Sequence, residues 1–99
     1  MKRRIRLRRP VVRDLSQAAD WYDSQQFGLG AEFLRVTFEG FDTISERAES
    51  FPIVEQAVRR ALMRRFPYAI YFLPESSAVT ILAVLHTARP RRTWRRRIR

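Results

Sequence analysis

The run AVTILAVLH, Ala78–His86, constrains this chain more than any other stretch. Seven of its nine residues are apolar, so it reads as a central strand buried on both faces, and a sheet must be built around it. YAIYFL, just before it, is aromatic and β-branched and predicts a neighbouring strand. PESS between the two has hairpin length. With 99 residues there is one domain, spanning 1–99, burying roughly 60–70% of its unfolded surface around a single core. Residues 90–99 form a basic C-terminal tail, read as a turn or frayed end that orders only on binding.

Upstream, RRIRLRR alternates Ile5 and Leu7 with Arg4, Arg6 and Arg8, the period of a half-buried strand with an arginine face. Pro10 suits the first turn of a helix. Val11, Leu15, Ala18 and Tyr22 then recur at helical spacing, with Asp14, Gln17 and Asp20 pointing elsewhere. FGLG interrupts this helix, and a second begins at Ala31 with the stripe Leu34, Phe38, Phe41, Ile44 or Ser45, and Ala48. The two make an antiparallel hairpin, and Gly40 within the second permits close packing. ESFP ends the helices, and Ile53–Arg65 is read as one strand. The fold class is therefore α+β, ordered β-α-α-β-β-β, with the helical hairpin on one face of a small, mainly antiparallel sheet.

Charge divides the chain. Residues 1–13 carry +7, Asp14–Glu49 holds eight acids against two bases, and residues 50–99 carry eleven arginines against two glutamates. The net charge of +10 implies an acidic partner, and its confinement to both ends points to a basic binding face. No apolar run reaches membrane-spanning length, and no hydrophobic signal core follows the basic start, so no membrane partner is expected. The chain has no cysteine, which suits a reducing cytoplasm. One histidine and scattered acids make no metal constellation, and no phosphate-cradling glycine loop is present, so no cofactor is expected.

Three segments together carry a family likeness: DLSQAADWYDSQQFGLGAEFL, VRRALMRRFPYAIYF and ILAVLHTARPRRTWRRR. In this order and spacing the chain resembles the RelE/ParE superfamily of toxins from type II toxin–antitoxin systems, over nearly its whole length. The resemblance implies a β-α-α-β-β-β toxin neutralised by a cognate antitoxin in a hetero-oligomer. It leaves two targets open: DNA gyrase for ParE-like members, which are not nucleases, and mRNA on the ribosome for RelE-like endoribonucleases. A third reading is a non-toxic, basic nucleic-acid-binding module.

A metal-free ribonuclease needs a group for the 2′-OH, a proton donor for the leaving oxygen and cations for the phosphorane. His86 is the only side chain titrating near neutrality. The resemblance puts Arg59 and Arg89 at positions of catalytic basic residues, so Arg59, His86 and Arg89 are the catalytic set of the nuclease reading. It also shows departures: Tyr68 where an arginine is wanted, Ala61 where a second base is wanted, and Trp94 with no tyrosine after it. The ParE-like, non-enzymatic reading is therefore favoured. Arg60, Arg64, Arg65, Arg91, Arg92, Trp94 and Arg95 are the expected target- or nucleic-acid-binding residues. The doublets Arg59–Arg60 and Arg64–Arg65 are expected to put one arginine on each face of a strand. Trp94 has two places open to it, stacked on a base or capping the core, and Trp21 with Tyr22 is expected to lock the hairpin to the sheet. The antitoxin is expected on the basic and apolar sheet side, as a helix in a groove or a strand at an edge.

Overall fold

The computed structural model describes residues 2–98; Met1 and Arg99, the ends of the span read from sequence, lie outside the described residues. Strands and helices are numbered in chain order: β1 (Arg4–Leu7), α1 (Arg9–Gln25), α2 (Leu29–Arg47), β2 (Ile53–Glu55), β3 (Val58–Leu62), β4 (Tyr68–Pro74), β5 (Ala78–His86) and α3 (Arg91–Arg95). The sheet runs β1-β5-β4-β3-β2, with β1 parallel to β5 and every other pair antiparallel. The α+β architecture expected from the residues is the one found, and the sheet stays open.

The AVTILAVLH run is the inner strand β5, and six of its residues from Val79 to Leu85 are buried, Thr80 being the partial exception. Its alternation is broken once. Tyr71 of β4 faces Ala83 while Phe72 faces Ile81, so Leu82 is an extra residue, a β-bulge. The bulge turns both Leu82 and Ala83 to one face and leaves Val79, Ile81 and Val84 on the other. On that other face Val11, Leu15, Ala18, Phe33, Val36, Phe41 and Ile44 of α1 and α2 meet Ala61, Ile70 and Phe72 of the sheet.

The stripe of α1 matches its spacing: Val11, Leu15 and Ala18 are buried, and Tyr22 packs against Phe33, Phe66 and Tyr68. The stripe of α2 matches except at one position: Phe41, Ile44, Ser45 and Ala48 are buried and Leu34 packs against the core. Phe33, Val36, Thr37, Phe41, Ile44 and Ser45 are buried, whereas Phe38 is 51% exposed. Two of the buried residues are polar, and both hydroxyls are satisfied, Thr37 Oγ1 donating to the Phe33 carbonyl one turn back at 2.8 Å and Ser45 Oγ to the Arg3 carbonyl across the fold.

Two glycines make the hairpin. Gly28 takes the left-handed conformation at φ 89°, which reverses the chain. Gly30 is a point of close approach, its N–H donating to Asp23 Oδ1 at 2.7 Å.

Two expectations are corrected. Ile53–Arg65 is not one strand but a hairpin, β2 and β3, turning at Gln56 with φ 53°. Arg64 and Arg65 lie past the end of β3 in the turn to β4, Arg65 at φ 67°, so they do not alternate across a strand. Arg65 ion-pairs with Glu32 of α2, which Arg35 also holds.

The second correction concerns the arginine-rich segment. It is not frayed. Residues 91–95 form α3, a 3₁₀ turn follows at Arg96–Ile98, and Trp94 is only 5% exposed. Its ring stacks on Tyr71 with centroids 4.9 Å apart, and with Val58, Ala69, Leu82, Ala83 and Leu85 it forms a second core on the sheet face opposite α1 and α2. This is why β5 can be apolar on both sides.

Glu32 and Glu49 give the fold a pH dependence. The Arg35 guanidinium hydrogen-bonded to Glu32, and that of Arg3 hydrogen-bonded to Glu49, hold both carboxyls below the ordinary range. Folded-state values below the unfolded ones mean that this contribution is complete above about pH 4.3 and is lost as pH falls through the folded-state values. A Glu32→Gln, Glu49→Gln double variant should therefore unfold at lower urea than the parent at pH 7. The two midpoints should converge near pH 2.

Candidate functional site

At the end of β5 the chain leaves the sheet, and an open cleft of about 230 Å³ forms between α1 and the strand ends. Asp14, Gln17 and Trp21 line it from α1, spaced so that they share one helix face. Tyr68, Val84, His86 and Arg89 line it from the sheet side. Tyr68 stands directly opposite His86 in the β4–β5 register, and their rings meet edge to face at 5.3 Å.

The chemistry of these groups is definite. His86 Nδ1 accepts a hydrogen bond from the Ala88 N–H at 3.0 Å, which leaves Nε2 as the ring nitrogen free to donate. Burial raises the Tyr68 phenol above its ordinary pKa, aided by Tyr22 and opposed by Arg89, so Tyr68 is a neutral donor at pH 7 and not a base.

The floor of the cleft carries a feature with no local signal in the sequence. β1 covers β5 only from Ala78 to Ile81, so the later part of that edge has no strand beside it. Asp14 and Arg97, 83 residues apart, fill the gap. Asp14 Oδ2 accepts from the Val84 N–H at 3.0 Å, and Arg97 Nη1 donates to the Leu82 carbonyl at 2.9 Å. The two side chains pair in bidentate fashion at 3.0 Å, and Arg8 Nη1 donates to the Arg97 carbonyl at 2.7 Å. The ion pair thus substitutes for a strand and anchors the segment after α3. Arg97→Ala leaves a carboxylate that is 7% exposed with one N–H for company. Arg97 itself is 21% exposed, so the loss should be about 2 kcal/mol, below that of a fully buried pair. Urea denaturation measures it, and Asp14→Asn should recover part of the loss in the Arg97→Ala background.

The structure brings together some of the expected site residues and separates others. His86 and Arg89 share the cleft. Arg59 does not join them. It pairs with Phe72, four residues along β4 from Tyr68, a separation of about 13 Å along the strand alone. Its Nη1 donates to the carbonyls of Glu49 and Phe51, the latter at 2.6 Å. Arg60, opposite Tyr71, lies on the α3 face of the sheet, as does Trp94 in its buried position. Of Trp94's two possible places, the structure has it capping the core, so its ring is closed to a base. Arg91 and Arg92 are exposed on α3, Arg95 binds Glu55 at 2.9 Å, and Arg64 borders an apolar groove of about 180 Å³ between α2 and β3. Trp21 is the residue whose placement differs most from its expected locking role. It is 57% exposed and lines the cleft, while Tyr22 alone does the locking.

Among the described residues no group of three or more His, Cys, Asp and Glu side chains could hold a metal ion. No helix among them is long and apolar enough to cross a membrane.

A strand, a helical hairpin and an open, mainly antiparallel sheet closed off by a basic segment define an α+β fold of the ParE-like type. A solved structure described as the chromosomal ParDE TA system from P. aeruginosa contains a chain of this fold, matching with a TM-score of 0.76 over 86% of this chain and 96% of that one. Sequence identity is 17%, so the likeness is one of fold. No protein-family model matches the sequence, and no curated protein matches it significantly. The resemblance to the RelE/ParE superfamily read from sequence therefore stands at the level of fold.

Proposed function

We propose that this chain is the toxin of a type II toxin–antitoxin pair, held inactive in the cytoplasm by a cognate antitoxin, and that it acts on DNA gyrase without cutting nucleic acid. The fold and its likeness to a chain of a ParDE system support the toxin class. The single observation that carries the non-nucleolytic reading is the separation of Arg59 from His86 and Arg89. A metal-free ribonuclease must converge its acid, base and phosphate-binding cations on one scissile bond. Here Arg59 is committed to two backbone carbonyls at the other end of β3 and β4.

Purified protein added to gyrase and supercoiled plasmid should accumulate cleaved DNA. Added to translating ribosomes, it should leave mRNA full length. Shortened mRNA with untouched gyrase would reverse the assignment in favour of the RelE-like reading, which the shared cleft of His86, Tyr68 and Arg89 supports. Normal growth after induction without a partner would sink both.

For the antitoxin, expected as a helix in a groove or a strand at an edge on the sheet side, the face beneath α3 is already covered by Trp94. The groove between α2 and β3 is the better seat. Exposed Leu62 stands at its rim, and β2 leaves the outer edge of β3 without a neighbour beyond Arg60. An apolar helix or an added strand fits there. Leu62→Glu should weaken the complex while leaving the isolated protein folded.

A further inference from the structure

Phe27 lies outside the core, at the tip of the helical hairpin. At 96% exposure it is the most exposed large apolar side chain among the described residues. The turn that carries it is fixed. Gln26 N–H donates to the Tyr22 carbonyl and Leu29 N–H to the Gln26 carbonyl, both at 3.0 Å, and Asp23 holds the Gly30 N–H. The ring is thus presented to solvent on a rigid support, with little left to order on docking. Reversal of the chain needs Gly28, but nothing in the turn needs a phenyl ring beside it.

The groove between α2 and β3 has the opposite character. It measures about 180 Å³, with Val36, Phe51, Ala61 and Ile70 in its walls and exposed Leu62 at its rim. Gly40, which places no side chain there, keeps it open. An apolar cavity of about 150 Å³ accepts benzene, so a phenyl ring fits. Phe27 does not fill the groove of its own chain. The first groove residue, Val36, lies about 10 Å along α2 from the helix start at Leu29.

Charge agrees with shape. Near the tip, Asp20 and Asp23 are exposed and make no ion pair among the described residues. Arg64 on the groove is exposed and equally unpaired, and Glu39, the carboxylate lining it, is engaged by Arg35. An acidic hairpin between two basic ends is the charge pattern that a head-to-tail contact between copies uses.

We propose that this protein self-associates head to tail, Phe27 of one copy seated in the α2–β3 groove of the next and the acids near the tip facing Arg64. The contact joins two different surfaces, so it propagates from copy to copy. A single aromatic anchor buries about 150–250 Å² within a polar rim, which makes the association weak and reversible. It needs neither antitoxin nor target, only the tip and the groove.

Sedimentation equilibrium over a concentration series tests this on the protein alone. The average mass of the parent should rise with concentration. Phe27→Ser keeps the groove and loses the anchor; Leu62→Glu keeps the anchor and puts a negative charge at the groove rim. Each should raise the self-dissociation constant about tenfold or more. Mixed in equal amounts, the two variants should form a one-to-one dimer that grows no further, because each supplies the half that the other lacks. Circular dichroism checks that these exposed substitutions leave the fold intact. A parent that stays monomeric at millimolar concentration overturns the proposal. So does a mixture as monomeric as its components. Loss of association in Phe27→Ser with none in Leu62→Glu overturns it too, since that is a symmetric contact between two tips. Each of these failures leaves the toxin reading standing, because no antitoxin or gyrase takes part. A protein that associates as expected but neither affects gyrase nor slows growth sinks that reading alone.

Discussion

Trp94→Ala should cost the protein about 3–5 kcal/mol, the range for removing a buried aromatic side chain. Trp94 is 5% exposed and stacked almost parallel to Tyr71, at an interplanar angle of 17°. α3 is only five residues long, and its exposed positions are all arginines, so nothing in its own sequence would hold it as a helix. It stays because Trp94, and Ile98 after it, pack on the sheet. Without the indole α3 should lift from the sheet, the chain beyond it still tied by Arg97 to Asp14, and Tyr71, Leu82, Ala83 and Leu85 should be bared to water. Against a stability of about 5–15 kcal/mol for a domain, that loss is decisive. Urea denaturation gives the magnitude, and increased binding of a hydrophobic dye reports the bared face. Trp94→Phe keeps the stack and should lose less than half as much. A loss below about 1 kcal/mol for Trp94→Ala would mean that the segment is not part of the fold.

Gly30→Ala should be of comparable severity for the opposite reason. A Cβ there would sit 2.4 Å from the Ala19 carbonyl oxygen and 2.8 Å from Asp23 Oδ1. The first neighbour is backbone of α1 and cannot swing aside, so α1 and α2 would have to separate. Overpacking of this kind costs about 1–3 kcal/mol and more where backbone must move. The expected result is a chain that unfolds at much lower urea or is recovered only as aggregate. Gly40→Ala is the control. Its Cβ would meet Ile70 Cδ1 at 3.0 Å, the tip of a side chain that can turn away. A gain of about 1 kcal/mol in helix propensity offsets the crowding, so the variant should stay within about 1 kcal/mol of the parent. Equal damage from both alanines would refute the packing account.

These cases show what could be read from the residues and what could not. β1 and α1 were legible because their apolar residues recur with the period of the element, β4 from its aromatic and β-branched content, and β5 from its nearly unbroken apolar run. On α2, Phe41, Ile44, Ser45 and Ala48 were legible from helical spacing; Phe38 was misplaced, and Thr37 was overlooked because a hydroxyl carries no apolar signal, although it donates to the Phe33 carbonyl and so costs little to bury. The β2–β3 hairpin was missed because its turn runs through Gln56 at φ 53°, without the glycine or asparagine that usually marks such a conformation. Arginine composition concealed α3, whose one large anchor is a single tryptophan. In the candidate site, His86 was singled out as the only histidine and Arg89 through the family resemblance, and three residues of separation are enough to bring both to one cleft. Asp14 with Arg97 was invisible, since nothing local links residues 83 apart. Trp21 was read as packing because it adjoins the apolar stripe. Only the fold shows that this side of α1 opens onto a cleft.

The Asp14–Arg97 bridge and the Trp94 stack also set an order of events during synthesis. Residues 91–98 leave the ribosome after every strand of the sheet has been made. Until they arrive, one face of that sheet is uncovered and the later edge of β5 is open, a surface prone to join other chains. A message cut short before the codon for Trp94 would therefore yield a sticky, incomplete product, not a shortened active one. Synthesis of residues 91–98 is therefore a condition for the sheet to be covered on both faces.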